Sequence, residues 1–202
     1  MSTKLVWAGW GALLGYALVV APSAADDTQL LETLLSPDAL ESQRVFASLF
    51  NLMGVYPAIY AALLLPRAPK GKPKAWPFVV ASFAFGAFAL LPYFAFTLDA
   101  DTETQGDTGV LESKLFAASL VAASAGLVGF AATAGPDAWG SYTELFRTST
   151  LANVTTVDFV TLSAWAPFWC MRDAEARGAP KPSALTAIPA VGPAVYLLKR
   201  SL

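Results

Sequence analysis

Apolar residues along this chain come in long runs separated by short polar stretches, and those runs set the first expectation. Leu5 to Ala25, Val45 to Leu65, Phe78 to Leu98 and Leu115 to Ala134 carry no Lys, Arg, Asp or Glu. Each has about the 20 residues that a membrane-spanning helix needs. A fifth run, Val157 to Met171, is approached through a polar stretch beginning at Thr150 and contains Asp158. A sixth, Ala184 to Leu198, rises only about 22 Å as a helix, against a hydrocarbon core of about 30 Å. It is expected to pack against protein or to hook into the membrane without crossing. The pattern predicts an all-α, polytopic transmembrane protein with about six membrane segments (5–25, 45–65, 78–98, 115–134, 157–171 and 184–198). They form one domain over residues 1–202, with short amphipathic interfacial helices between them.

Two connectors read as ordered. Ser36-Pro37-Asp38 combines a capping hydroxyl, a proline suited to a first helical turn and an acid for the positive end of the dipole, which predicts a helix start. Trp139, Tyr142, Leu145 and Phe146 recur at three- and four-residue steps beside Glu144 and Arg147, as in an amphipathic helix lying in the headgroup region. The loop from Pro66 to Pro77 is basic and stiff, whereas Asp99 to Gly109 is acidic and rich in Gly and Thr, as mobile loops are. The first run also fits a signal peptide, with Lys4 ahead of it and Pro22-Ser23-Ala24-Ala25 before Asp26-Asp27, so it is either a retained helix or a targeting segment.

Composition narrows the function. Hydrophobic residues make up 55% and charged residues 14% of the 202, against about 45–50% and 25% in soluble domains. There is no histidine, which excludes imidazole bases and histidine-ligated zinc, haem or iron within this chain. The single cysteine, Cys170, can form neither an internal disulfide nor a thiolate cluster, and reads as a small buried hydrophobe. No iron–sulfur cluster, nucleic-acid footprint or catalytic constellation is expected. With six crossings, Lys4, Arg67, Lys70, Lys72, Lys74, Lys199 and Arg200 fall on one basic face with both termini, and the acidic loops after the first and third runs on the other. The positive-inside rule puts the basic face in the cytoplasm or its organellar equivalent.

Polar residues at membrane depth are the candidate site residues: Asn51 in the second run, and Asn153 and Asp158 at the entrance of the fifth. Asp158 reads first as an interfacial acid or helix anchor. The alternatives are a pair with an Arg or a partner subunit, and proton or ligand chemistry. Small residues at four-residue spacing, Gly11 and Gly15, Ser82 and Gly86, and Ala118, Ala122 and Gly126, read as internal helix packing ahead of a surface for a flat ring. Pro57, Pro92, Pro167, Pro189 and Pro193 interrupt the later runs. They read as kinks, or as the broken spans a transporter would use.

Several motifs follow one another in order: Phe50-Asn51-Leu52-Met53-Gly54-Val55-Tyr56-Pro57, Leu65-Pro66, Trp76-Pro77-Phe78 through Gly86 to Leu90-Leu91-Pro92-Tyr93-Phe94, Asp158-Phe159, Ala166-Pro167-Phe168-Trp169 with Asp173 and Arg177, and Gly192-Pro193-Ala194-Val195-Tyr196-Leu197-Leu198. Over about residues 45–200 this order resembles a family of small integral thylakoid membrane proteins of cyanobacteria and plastids, and an algal, photosystem-associated version of it. In that family a histidine often stands where this chain has Asn153, so histidine-dependent ligation does not carry over. The resemblance implies a multi-pass thylakoid protein with both termini stromal. It implies a non-catalytic accessory subunit of a photosynthetic supercomplex, photosystem I with its antenna first. Its partners would be photosystem core subunits, light-harvesting antenna proteins, lipids and pigments. Chlorophyll and carotenoid are the cofactors to expect, with magnesium held by oxygen from Asn51, Asn153, Asp158, a backbone carbonyl or water. The paired Glu and Arg motif shared by antenna proteins is absent. A small proton-coupled transporter and a transient photosystem assembly factor are the alternatives.

Overall fold

The computed structural model describes residues 2–23, 27–36, 41, 43–69, 71–100, 102–104 and 109–200, leaving aside the side chains of 68 and 102–104. The expected helix start at Ser36-Pro37-Asp38 falls on residues 37–40, outside that description. The fold is helical: α1 (Thr3–Gly15) continuing as a π turn (Tyr16–Val20), α2 (Thr28–Leu35), α3 (Arg44–Leu64), α4 (Trp76–Thr97), α5 (Lys114–Ala132), α6 (Pro136–Thr148), α7 (Thr150–Ala176) and α8 (Val191–Lys199). Two 3₁₀ turns, Gly109–Glu112 and Ala184–Ala187, and a ribbon of two three-residue strands, β1 (Arg67–Pro69) and β2 (Thr102–Thr104), complete the described elements. Four helices are long and apolar enough to cross a bilayer: Thr3–Val20, Arg44–Leu64, Trp76–Thr97 and Lys114–Ala132.

Side-chain capping sets where two of the long helices begin. The Ser113 hydroxyl accepts from the Phe116 amide at 3.1 Å and that of Ser149 from the Ala152 amide at 3.0 Å. Each satisfies an amide that has no partner inside its own helix. The amphipathic segment is present as α6, which lies against α7 and the start of α3.

Contacts between distant residues sort the helix ends into two groups. At one end, Arg44 donates to the Phe130 carbonyl at 3.0 Å and to Thr133 at 2.8 Å, with its guanidinium 3.9 Å from the Phe130 ring centre. The Leu151 amide donates to the Asp27 carboxylate at 2.7 Å, and the Thr150 hydroxyl to the Pro22 carbonyl. At the other end, Thr3 donates to Asp99 at 2.7 Å, Arg172 donates to the Ala100 carbonyl at 2.9 Å, and Arg177 pairs with Glu112. α1, α3, α5 and α7 run between these two ends. α7 has 27 residues and is therefore about 40 Å long, and it packs against α3, α4 and α6.

α4 does not run end to end, despite its length and apolar composition. The Phe78 ring lies 5.4 Å from that of Tyr93 and 6.5 Å from that of Phe96, positions that a straight helix would hold about 22 Å or more apart. The chain reverses at Gly86, whose backbone (φ 46°, ψ −127°) is closed to L side chains. Two helical limbs, 76–85 and 87–97, therefore form a hairpin with both feet at the Asp173 end. β1 and β2 join those feet, with Arg67 opposite Thr104 and Pro69 opposite Thr102. Arg67, Lys72 and Lys74 of the basic stretch and Asp99 of the acidic one thus lie at the same end rather than on opposite faces.

The sixth run also doubles back. Its 3₁₀ turn and α8 meet at Ala190 (φ 56°), whose amide reaches the Tyr56 hydroxyl midway along α3 at 2.9 Å. Arg200, ten positions on, is back at the Asp173 end and donates to the Ala62 carbonyl at 3.0 Å. The limbs approach so closely that a Cβ on Gly192 would lie 2.0 Å from the Leu185 carbonyl oxygen. Of the six expected segments, four run end to end and two enter and leave at one end. Both termini of the described chain lie at that end. So do ten of its twelve described Lys and Arg: Lys4, Arg67, Lys72, Lys74, Lys114, Arg172, Arg177, Lys181, Lys199 and Arg200, with Arg44 and Arg147 at the other.

Between the hairpin and α3 and α7 sits an aromatic core. Tyr56, Tyr60, Tyr93, Phe94 and Trp169 are all 2% exposed or less, and Phe94 and Trp169 approach to 4.8 Å between ring centres. Each such pair contributes about 0.5–1.5 kcal/mol beyond its burial. Cys170 is buried in this core, as a small hydrophobe.

Candidate functional site

The three polar residues singled out in the sequence occupy three separate environments. Asn51 sits on the exposed side of α3, where its amide donates to the Ala47 carbonyl one turn back at 2.8 Å. That bond uses one of the two amide N–H donors, and among the described residues the side-chain oxygen has no hydrogen bond. Asn153 is 4% exposed and fully engaged. Its oxygen accepts from the Tyr16 hydroxyl at 2.7 Å and its nitrogen donates to the Phe146 carbonyl at 2.8 Å, tying the π turn, α6 and α7 together. Its side-chain oxygen thus holds the Tyr16 hydroxyl inside the fold.

Asp158, expected as an interfacial acid or helix anchor, is buried inside the fold and anchors a neighbouring helical limb. It is 5% exposed and lies eight residues into α7, about 12 Å from its start, with its carboxylate against the apex of the α4 hairpin. Oδ1 accepts the Ala87 amide at 2.7 Å, so Asp158 caps the limb 87–97 from another helix. A carboxylate suits that place because the first amides of a helix lack internal partners and its dipole is positive there. Oδ2 carries no hydrogen bond among the described residues and faces Gly86, where a Cβ would lie only 1.8 Å away. Asp158 enters no ion pair among the described residues.

A cavity of about 630 Å³ runs from the Arg44 end to this carboxylate. Asp27, Thr28, Thr150 and Leu151 line its mouth, Val154 and Thr155 its wall, and Ala84, Phe85, Phe88 and Asp158 its floor. On the far side of Asp158 the way is filled by Leu90, Leu91, Phe94, Leu162, Ala166 and Trp169, each 2% exposed or less. Ala84 and Phe85 beside the Gly86 apex are themselves exposed, so the pocket is a groove open along the outer surface, with Asp158 at its inner wall.

A second polar cluster holds the Asp173 end together. Asp173 is fully buried, and its Oδ2 accepts from the Tyr196 hydroxyl at 2.7 Å, from Arg177 at 3.2 Å and from Arg200 at 3.3 Å. Arg177 also pairs with Glu112, and Arg200 donates to the carbonyls of Ala62 and Leu111. Burial pulls the Arg177 guanidinium down, but the two carboxylates outweigh it and hold its pKa above the usual value. The cluster clamps α8, the end of α7, the 109–112 turn and the end of α3. The Asp173 and Arg177 of the sequence motif are therefore fold-closing residues, and nothing local marked Arg200 as their partner.

The small-residue stripes split in the same way. Ser82 and Gly86 are buried, whereas Gly11 and Gly15 on α1 and Ala118, Ala122 and Gly126 on α5 face outward. No other part of the chain lies within 4 Å of a Cβ placed at Gly11, Gly15 or Gly126. The stripes on α1 and α5 are not internal packing faces.

Fold and site together define a helical protein with four helices apolar and long enough to cross a membrane. Four end-to-end helices, α1, α3, α5 and α7, surround two doubled-back segments, with a carboxylate at the apex of one of them. No family model, curated protein or solved structure matches the chain.

Proposed function

We propose that this chain is an integral membrane accessory subunit of a photosynthetic supercomplex, photosystem I with its antenna first, and that its role is to hold neighbouring proteins and pigments rather than to catalyse. The observation that supports this reading is the pair of outward small-residue stripes, Gly11/Gly15 on α1 and Ala118/Ala122/Gly126 on α5. Lipid tails give helices no hydrophobic drive to associate, so lateral contacts in a membrane depend on flat faces that allow close backbone approach. The ordered motifs shared with small thylakoid membrane proteins supply the compartment. With ten of the twelve described Lys and Arg at the Asp173 end, the positive-inside rule makes that end stromal, together with both termini. Of the three candidate oxygen donors, Asn51 alone presents a free oxygen on an outer face, and it is the residue to hold a chlorophyll magnesium or a polar pigment group.

Mild-detergent solubilisation of the native membrane, native separation, and mass spectrometry with absorption spectra of each band test the proposal. Stoichiometric recovery with photosystem I and its antenna is expected. Migration as a small colourless particle away from both photosystems would overturn it.

A further inference from the structure

We propose that Asp158 is a proton-binding site that takes its proton from water in the open groove beside the hairpin apex. The inference goes beyond the subunit reading and does not depend on which complex holds the chain. Three observations meet at this residue. Among the described residues its Oδ2 has no hydrogen-bond partner, although the residue is 5% exposed. A groove of about 630 Å³ reaches it, lined also by the polar groups of Asp27, Thr28 and Thr155. And the backbone it faces is the apex of a helical hairpin, held there by the same carboxylate through Oδ1. Non-helical backbone at membrane depth is tolerated where it is buried in protein or lines a water-filled cavity. An ionisable group there is costly unless paired, and such groups mark proton and ion pathways.

A proton suits the site better than a metal cation, because the other carboxylate of the groove, Asp27, accepts the Leu151 amide, and the described residues hold no cluster of three or more metal-ligating side chains. The step is the addition of one proton from water to Oδ2, converting carboxylate to carboxylic acid while Oδ1 keeps the Ala87 amide. The surrounding groups leave this proton to Asp158. On α3, Tyr56 is engaged with Ser163 and Ala190, and Tyr60 donates to the Leu162 carbonyl. On the π turn, Tyr16 donates to Asn153, and at the mouth Asp27 accepts the Leu151 amide. Tyr93 lies on the hairpin limb beyond the seal, and Cys170 is three turns along α7.

The test uses the full chain in membranes, with two readouts. Dicyclohexylcarbodiimide, which attacks protonated carboxyls from the apolar phase, is followed by peptide mass spectrometry between pH 5 and pH 9. A membrane-impermeant maleimide is applied to T155C, on the cavity wall, and to V160C, on the exposed outer side of α7. Expected are modification of Asp158 that falls as pH rises and is absent in D158N, and labelling of T155C at least tenfold faster than V160C. An unmodified Asp158 across the whole range, or equal rates at the two cysteines, overturns the proposal and leaves Asp158 as a dry cap of the hairpin.

Discussion

Asp158 Oδ1 lies 2.7 Å from the Ala87 amide nitrogen, a contact that spans 71 positions and joins the start of one helical limb to the middle of another helix. Helix caps usually come from the residue just ahead of the helix. Here the preceding residue is Gly86 in a reversed conformation, which has no side chain to offer.

Replacing Asp158 by Asn should preserve the fold, because the amide oxygen can accept the same bond. D158A leaves the Ala87 amide unsatisfied in a buried place, at a cost of about 1–3 kcal/mol. Thermal unfolding in detergent should rank wild type and D158N close together, with D158A lower and with faster amide exchange at Ala87. Equal stability of D158A and D158N would show that the bond carries no weight.

Gly86 cannot take a side chain for two independent reasons, its positive φ and the 1.8 Å approach to Oδ2. G86A should lose at least about 2 kcal/mol, from backbone strain together with the clash. The second part depends on Asp158. In a double-mutant cycle the cost of G86A should therefore shrink in the D158A background. Simple additivity would contradict this.

The hairpin makes a topological prediction that a straight third span would not. Single cysteines at Lys72 and Val110 should react with an impermeant reagent from one side of the membrane, and a cysteine at Ser141 from the other. All three positions are exposed. Opposite accessibility of K72C and V110C would restore a crossing helix.

Asp173 is buried among Arg177, Arg200 and Tyr196. D173A strands the Arg200 charge, and removing one member of a buried pair costs about 3–5 kcal/mol. Protease cleavage should increase first within 178–200, the segment the cluster holds down. Y196F removes one hydrogen bond to a charged group and should cost about 1.5–3 kcal/mol.

Gly126 faces outward with open space around it. G126L should change the stability of the isolated chain by less than about 0.5 kcal/mol. On native gels it should nonetheless lose co-migration with the larger complex. Unchanged co-migration would remove the α5 stripe from the interface.

Much of the fold was legible in the sequence because hydrophobic run length and polar breaks are local properties. The runs at 5–25, 45–65 and 115–134 and the amphipathic α6 correspond to observed helices within a few residues. The third run misleads for a physical reason. Gly86 sits within unbroken apolar sequence, and hydropathy carries no information about the sign of one φ angle. Its reversal put Asp99 at the end that holds Arg67, Lys72 and Lys74, which no charge count could anticipate. Site residues followed the same division. That Asp158 is an acid at the entrance of an apolar run was visible in the sequence, but its burial was not. That it meets Ala87, that Asn153 is consumed by Tyr16, and that Asp173 finds Arg200 depend on contacts between residues far apart in the chain. By itself the sequence determined which segments prefer lipid, because transfer energy is additive along the chain. Tertiary structure alone decided which of those segments turn back and which polar atom is left facing a cavity, because both depend on what packs beside them.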